Sequence, residues 1–115
     1  MLYEYKAAYL SNYDGDTIRF RIDLGFNIFH NVIVRLLRID TYELKEKNKE
    51  LKEIAYDAKK FTELALGGAK TITLTTYKDD TDKYGRYLAE VIYDGVNLSN
   101  ALFNAGLAKT YLEKK

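Results

Sequence analysis

The residues from Thr17 to Leu24 read T-I-R-F-R-I-D-L, and this short run constrains the fold more than any other. Ile18, Phe20, Ile22 and Leu24 share one parity, while Thr17, Arg19, Arg21 and Asp23 share the other. Side chains alternate across a strand, so the run makes one apolar face and one polar face. Such a strand must lay its apolar face on a core. A second run of aromatic and aliphatic residues, Leu2 to Leu10, precedes it. A third, Ile28 to Ile39, follows and ends in Asp40-Thr41. The turns between them are Ser11 to Gly15 and Gly25-Phe26-Asn27. In the first, Asp14-Gly15 is a strong hairpin signal, because both residues tolerate positive φ. The first forty residues therefore predict a three-stranded antiparallel meander.

Beyond Glu43 the periodicity changes. The stretch L-K-E-K-N-K-E reads as a solvated loop, and from about Glu50 a helical stripe takes over: Leu51, Ile54, Ala55, Ala58, Phe61, Thr62 and Ala65. Gly67-Gly68 supplies its stop. Lys70 to Tyr77 is a β-branched strand, Lys78 to Gly85 a polar loop, and Arg86 to Tyr93 a fifth strand turned by Asp94-Gly95. Asn97 caps a last helix that presents Leu98, Ala101, Leu102 and Ala105 and stops at Gly106. The order is β-β-β-α-β-β-α. A mainly β chain with two helices in this order predicts an OB-fold: a five-stranded Greek-key β-barrel whose rim loops bind ligands. The 115 residues fit one domain, spanning 1–115.

Composition removes several chemistries. There is no Cys, which excludes disulfides, zinc–thiolate sites and a cysteine nucleophile. The one His, His30, is too few for a zinc triad and reads as structural. No apolar run reaches the ~18–20 residues of a membrane span, so no membrane partner is expected. The N-terminus lacks the build of a signal peptide, which points to the cytoplasm unless a leader has been removed. A monomer is expected. The formal net charge is only +1, so any site for an anion must be local.

Three polar segments sit at strand ends: D-G-D-T at 14–17, V-R-L-L-R-I-D-T-Y-E at 34–43, and D-K-Y-G-R at 82–86. Each alone reads as a turn or a surface ion pair. A barrel can bring all three to one rim. Asp16 and Asp40 could then face one cation, with the Thr41 carbonyl as a third oxygen ligand. An all-oxygen set suits a hard cation, Ca²⁺ or Mg²⁺. Glu43 could orient or deprotonate a water. Arg35 and Arg86 could each fork onto phosphate oxygens. One point resists this picture. Strict alternation sends Arg35 and Asp40 to opposite faces, so they converge only if the strand bulges or bends near its end.

At these segments the chain resembles the staphylococcal nuclease (thermonuclease) family. D-G-D-T, R-x-x-x-x-D-T-x-E, D-K-Y-G-R and N-x-A-L-x-x-x-G-L-A recur in that order, the last as Asn100 to Ala108. The likeness runs from about Tyr5 to Ala108 and is weakest over Leu44 to Glu53. It implies a Ca²⁺-dependent phosphodiesterase that cleaves DNA and RNA and leaves 3′-phosphate ends. It also implies roles. Asp16 and Asp40 match the metal carboxylates, and Thr41 matches the residue lending a backbone oxygen. Glu43 matches the proposed general base, and Arg35 and Arg86 the phosphate-binding arginines. Lys83 and Tyr84 match the pair at the terminal phosphate of a bound nucleotide, and Tyr111 a tyrosine that packs on it. Asp14 matches an acidic residue just outside the metal ligands. Tyr42 stands where the family has Pro, which removes a rigid brace before Glu43. Arg38 stands where an apolar residue or Gly is common.

Two other readings compete. One is a binding module that keeps the fold without catalysis; such domains lose site residues, and this chain keeps them. The other is a nuclease of a different fold with a D…(D/E)-x-K signature, suggested by Glu43-Leu44-Lys45. Asp40 is too close to Glu43 for that fold. Tyr84 is the best stacking platform for a base, and Lys45, Lys47 and Lys49 could meet a second phosphate.

Overall fold

In the computed structural model residues 2–110 are described, with Lys78 and Asp79 described by their backbone alone. The elements run β1 (Leu2–Asn12), β2 (Thr17–Asp23), β3 (Phe29–Leu36), β4 (Ile39–Asp40), α1 (Lys49–Gly67), β5 (Ile72–Thr81), β6 (Tyr87–Tyr93), β7 (Val96–Asn97), α2 (Leu98–Asn104) and β8 (Lys109–Thr110). The five long strands lie in the order β3-β2-β1-β5-β6, each antiparallel to its neighbour. A parallel pairing of β3 with β6 closes the ring, with Val34 opposite Tyr87, Arg35 opposite Leu88 and Leu36 opposite Ala89. This is the expected OB-type barrel, and closure leaves its long strands with few free edges.

The alternation in β2 decides the inside of the barrel. Ile18 and Phe20 are fully buried, with Val34, Leu36, Leu74, Val91, Leu98 and Leu102 around them. Complete burial of side chains this size is worth roughly 1.5–3 kcal/mol each. Helix α1 starts one residue earlier than the stripe predicts, because the Asn48 side chain accepts from the Leu51 amide. Its buried face is Ala55, Ala58, Thr62 and Leu66. Its Gly68 cap has φ −98°, so the helix ends without the left-handed turn a glycine pair suggests. Asn97 caps α2 as expected, accepting from the Asn100 amide.

Three expectations are corrected. Asp14-Gly15 does not make a positive-φ hairpin; neither residue is among those with positive φ. The segment is a bend in which Tyr13 N donates to Thr17 O at 2.9 Å. Gly15 is required for packing. A Cβ there would lie 2.8 Å from Ala58 Cβ and 2.9 Å from Thr41 Cγ2. Secondly, β5 continues to Thr81, well into the stretch read as a loop, so the loop proper spans 82–86. Thirdly, the third strand does not run unbroken to Ile39. It ends at Leu36, and Leu37-Arg38 make a bend before β4, with Arg38 at φ +72°. Left-handed backbone costs a branched or long residue about 1–2 kcal/mol. The bend is tied on both sides: Leu37 N donates to Ala89 O at 3.1 Å, and Ser99 Oγ donates to Leu37 O at 3.0 Å.

Candidate active site

The bend at Leu37-Arg38 removes the obstacle that strict alternation raised. After it Asp40 returns to the side of Arg35, and Arg35 Nη2 lies 3.3 Å from Asp40 Oδ1. Arg35 Nη1 lies 3.3 Å from Asp16 Oδ2. The same nitrogen donates to the carbonyls of Leu36 at 2.5 Å and Ile39 at 2.9 Å. One guanidinium therefore spans the two carboxylates and is itself fixed by main chain. It is 8% exposed, so its orientation is set by these partners and not by solvent.

Asp16 reaches this point because the bend before β2 is over-determined. Asp14 Oδ1 accepts from the amides of Asp16 at 3.1 Å and Thr17 at 2.8 Å. Thr62 Oγ1 on α1 donates to Gly15 O, and Leu36 N donates to Asp16 O. Thr41 N donates to Asp16 Oδ2 at 3.1 Å. Asp16 is 4% exposed. Burial pushes its carboxyl up to about 6. The Arg35 charge pulls it down, the hydrogen bond and charge of Asp14 push it up again, and the Thr41 amide pulls it down. One arginine thus leaves negative charge here undercompensated. Next to it, Thr41 Oγ1 is buried with no hydrogen-bond partner among the described residues. Every donor on this wall is oxygen, from Asp14, Asp16, Asp40 and Thr41, a set whose chemistry fits a hard cation. Among the described residues no group of three or more His, Cys, Asp or Glu side chains is arranged to ligate a metal. Any such ion would draw on main-chain oxygen and water as well.

The opposite wall comes from the 82–86 loop, built around Asp82, the first residue of D-K-Y-G-R, to which the motif alone assigns no role. Asp82 Oδ1 accepts from the amides of Tyr84 and Arg86, and Oδ2 accepts from Arg86 Nε at 2.6 Å. Burial opposes the charge on Asp82, but these bonds outweigh it and hold its carboxyl below the usual range. Arg86 Nη1 also donates to Thr17 Oγ1 at 3.1 Å. An Asp four residues before a turn arginine was the available signal. Tyr84 is 72% exposed, with Lys83 Nζ 5.2 Å and the Arg86 guanidinium carbon 5.4 Å from its ring centroid. Such a ring offers a face to a base and lies beside two cations.

A single pocket of about 560 Å³ is lined by Asp14, Asp16, Arg35, Asp40, Glu43, Asp82, Lys83, Tyr84, Arg86 and Leu88. Three segments distant in sequence thus meet at the β3–β6 seam. Glu43 is exposed at the pocket's edge. The residue before it, Tyr42, lacks proline's rigidity but is held otherwise. Lys109 Nζ sits 4.5 Å over its ring, and the Lys109 backbone lies opposite Asp40 in the β4–β8 ladder. Tyr111 lies outside the described residues. Arg38 is not at the pocket. It pairs with Glu90 at 2.7 Å and donates to Asn100 Oδ1 at 3.3 Å, clamping the bend to β6 and α2.

Residues 33–115 match the family model described as staphylococcal nuclease homologue. The SPbeta prophage-derived endonuclease YokF of Bacillus subtilis is 34% identical over 96 residues, covering 84% of this chain and 31% of that protein. Endonuclease YncB of the same organism is 33% identical over 99 residues, covering 84% and 43%. An uncharacterized Methanocaldococcus jannaschii protein, MJ1439, is 30% identical over 121 residues, covering 86% and 56%. The chain spans between about a third and just over half of the length of these relatives.

Proposed function

Since this chain belongs to the staphylococcal nuclease homologue family, we propose that it is a nuclease that hydrolyses phosphodiester bonds of DNA or RNA with the help of Ca²⁺. The supporting observation is the convergence of Arg35, Arg86, Glu43 and the Asp16–Asp40 carboxylates on one pocket. Asp16, Asp40 and the Thr41 carbonyl would hold the ion. Bound there, it would withdraw charge from the phosphate and make a water easier to deprotonate.

The chain's own groups do the rest. Arg35 and Arg86 each present a planar fork to the non-bridging phosphate oxygens, where negative charge builds as water adds to phosphorus. Both forks are oriented before substrate arrives, Arg35 by main-chain carbonyls and Arg86 by Asp82. Glu43 orients the attacking water and accepts its proton. The P–O5′ bond breaks and the departing O5′ takes a proton from solvent water, so the products carry a 3′-phosphate and a 5′-hydroxyl. Lys83 contacts the neighbouring phosphate and Tyr84 stacks on a base. Asp14 fixes Asp16 through the bend.

Hydrolysis of labelled single-stranded and duplex substrates with Ca²⁺, with Mg²⁺ and with chelator tests this. Activity with Ca²⁺ that chelator abolishes, and that falls at least ~100-fold in Arg35→Ala and Glu43→Gln variants, is expected. Full activity in chelator, or in an Arg35→Ala/Glu43→Ala double variant, overturns it. Tight binding without hydrolysis in millimolar Ca²⁺ points to the alternative, a catalytically silent nucleic-acid-binding module.

A further inference from the structure

The polar face of β2, which the barrel core does not use, continues outward from the pocket. Across β2 and β3 the pairs are Thr17–Arg35, Arg19–Ile33, Arg21–Asn31 and Asp23–Phe29. All eight side chains lie on the outer side of the barrel, because Ile18, Phe20, Val32 and Val34 point in. The first pair belongs to the pocket, since Arg35 lines it and Arg86 bonds Thr17. Arg19 and Arg21 follow at successive steps of about 7 Å along the strand. That step is comparable to the spacing of phosphates along an extended nucleic-acid strand.

Among the described residues neither Arg19 nor Arg21 pairs with a carboxylate. This contrasts with Arg38 and Arg86, which do. Phe29, 48% exposed, carries the Arg21 guanidinium 4.1 Å over its ring centroid. Beyond it, Lys6 and Asp23 are cross-strand neighbours of opposite sign, so the positive row ends there. The bland account is a solvated sheet face. What sets this face apart is its alignment with the pocket: two arginines with no carboxylate partner among the described residues lie in line with it, and an exposed aromatic lies beneath the second.

We propose that the outer face of β2 and β3, through Arg19, Arg21 and Phe29, is a track for the single strand of nucleic acid that flanks the cleaved phosphate. The choice of ligand rests on the nuclease reading. The track binds phosphates with Arg19 and Arg21 and stacks a base in the Arg21–Phe29 layer. A duplex would have to open to lie on it, so the track favours single strands or frayed ends.

Fluorescence anisotropy of a labelled single strand of about ten nucleotides, in chelator so that nothing is cleaved, reads the track directly. Arg19→Ala/Arg21→Ala should weaken binding roughly 10–30-fold at 0.1 M salt and flatten the log Kd–log salt slope by about 1.4, from ~0.7 per phosphate contact. Arg19→Lys/Arg21→Lys should keep the slope. Phe29→Ala should weaken binding about fivefold or more at unchanged slope. In parallel, kcat/KM on a dinucleotide with Ca²⁺ should be unchanged in the double alanine variant, because that substrate ends before the track. An unchanged slope, no binding by the wild type, or an equal loss on dinucleotide and long strand overturns the track. If the wild type hydrolyses neither substrate, the nuclease reading fails, and the anisotropy series still decides the track.

Discussion

Asp16→Asn should make the metal-free protein more stable while destroying its capacity for a cation. Asp16 is 4% exposed and its carboxyl is pushed up to about 6 against an ordinary 3.8. The difference amounts to roughly 3 kcal/mol against the charged form at neutral pH. The folded value is raised, so the folded chain holds this proton more tightly. That stability is fully present below about 3.8 and is lost as pH rises through about 6. An amide never takes on the charge. Its oxygen can replace Oδ2, which both Arg35 Nη1 and the Thr41 amide approach. Its NH₂ can donate toward Asp14, which opposes the charged Asp16. The variant should therefore exceed the wild type by up to ~3 kcal/mol at pH 7.5, on the order of 10 °C for a chain of this size. The gap should close toward pH 4. Denaturant melts in excess chelator across this range measure it. Adding Ca²⁺ should then reverse the order, since only the wild type gains binding free energy. A variant no more stable than the wild type at pH 7.5, or a gap independent of pH, would refute the claim that Asp16 is held charged at a cost.

Other substitutions probe the supports of the site. Gly15→Ala puts a Cβ within 3 Å of both Ala58 and Thr41 and should cost about 1–3 kcal/mol in melts, with activity falling further because Thr41 must shift; a stable, fully active variant would mean that α1 yields freely. At Arg38, with φ +72°, Gly and Leu both lose the Glu90 and Asn100 partners, but Gly relieves the backbone while Leu keeps the strain. Arg38→Leu should melt about 1 kcal/mol below Arg38→Gly, and the opposite order would show that the strain is negligible. Asp82→Asn frees Arg86 from its strongest orienting contact, so kcat should fall about tenfold with the melting point little changed; unchanged kcat would remove Asp82 from the positioning of Arg86.

The amino-acid sequence alone determined which residues face inward and which chemistries are possible. The period of two in Thr17–Asp23 and the stripe of α1 follow from side-chain geometry along a single element, so they are readable locally, as are the Asn97 cap and the absence of cysteine. Leu24, past the end of β2, is exposed and does not join the core face. Three polar segments and the family likeness marked Asp16, Arg35, Asp40, Glu43 and Arg86 as candidates. What sequence periodicity could not supply was convergence. Arg35 and Asp40 lie on opposite parities, and only the bend at Leu37-Arg38 turns them together. That bend has no local signature, since an arginine at positive φ is disfavoured by its own backbone. It persists because Ala89, Ser99, Glu90 and Asn100, all more than fifty residues away in sequence, hold it. Gly15 makes the same point: it looked like a turn residue, but its lack of a side chain serves the contact with Ala58 on α1. Local pattern fixes the face a side chain takes, and long-range packing decides which faces meet.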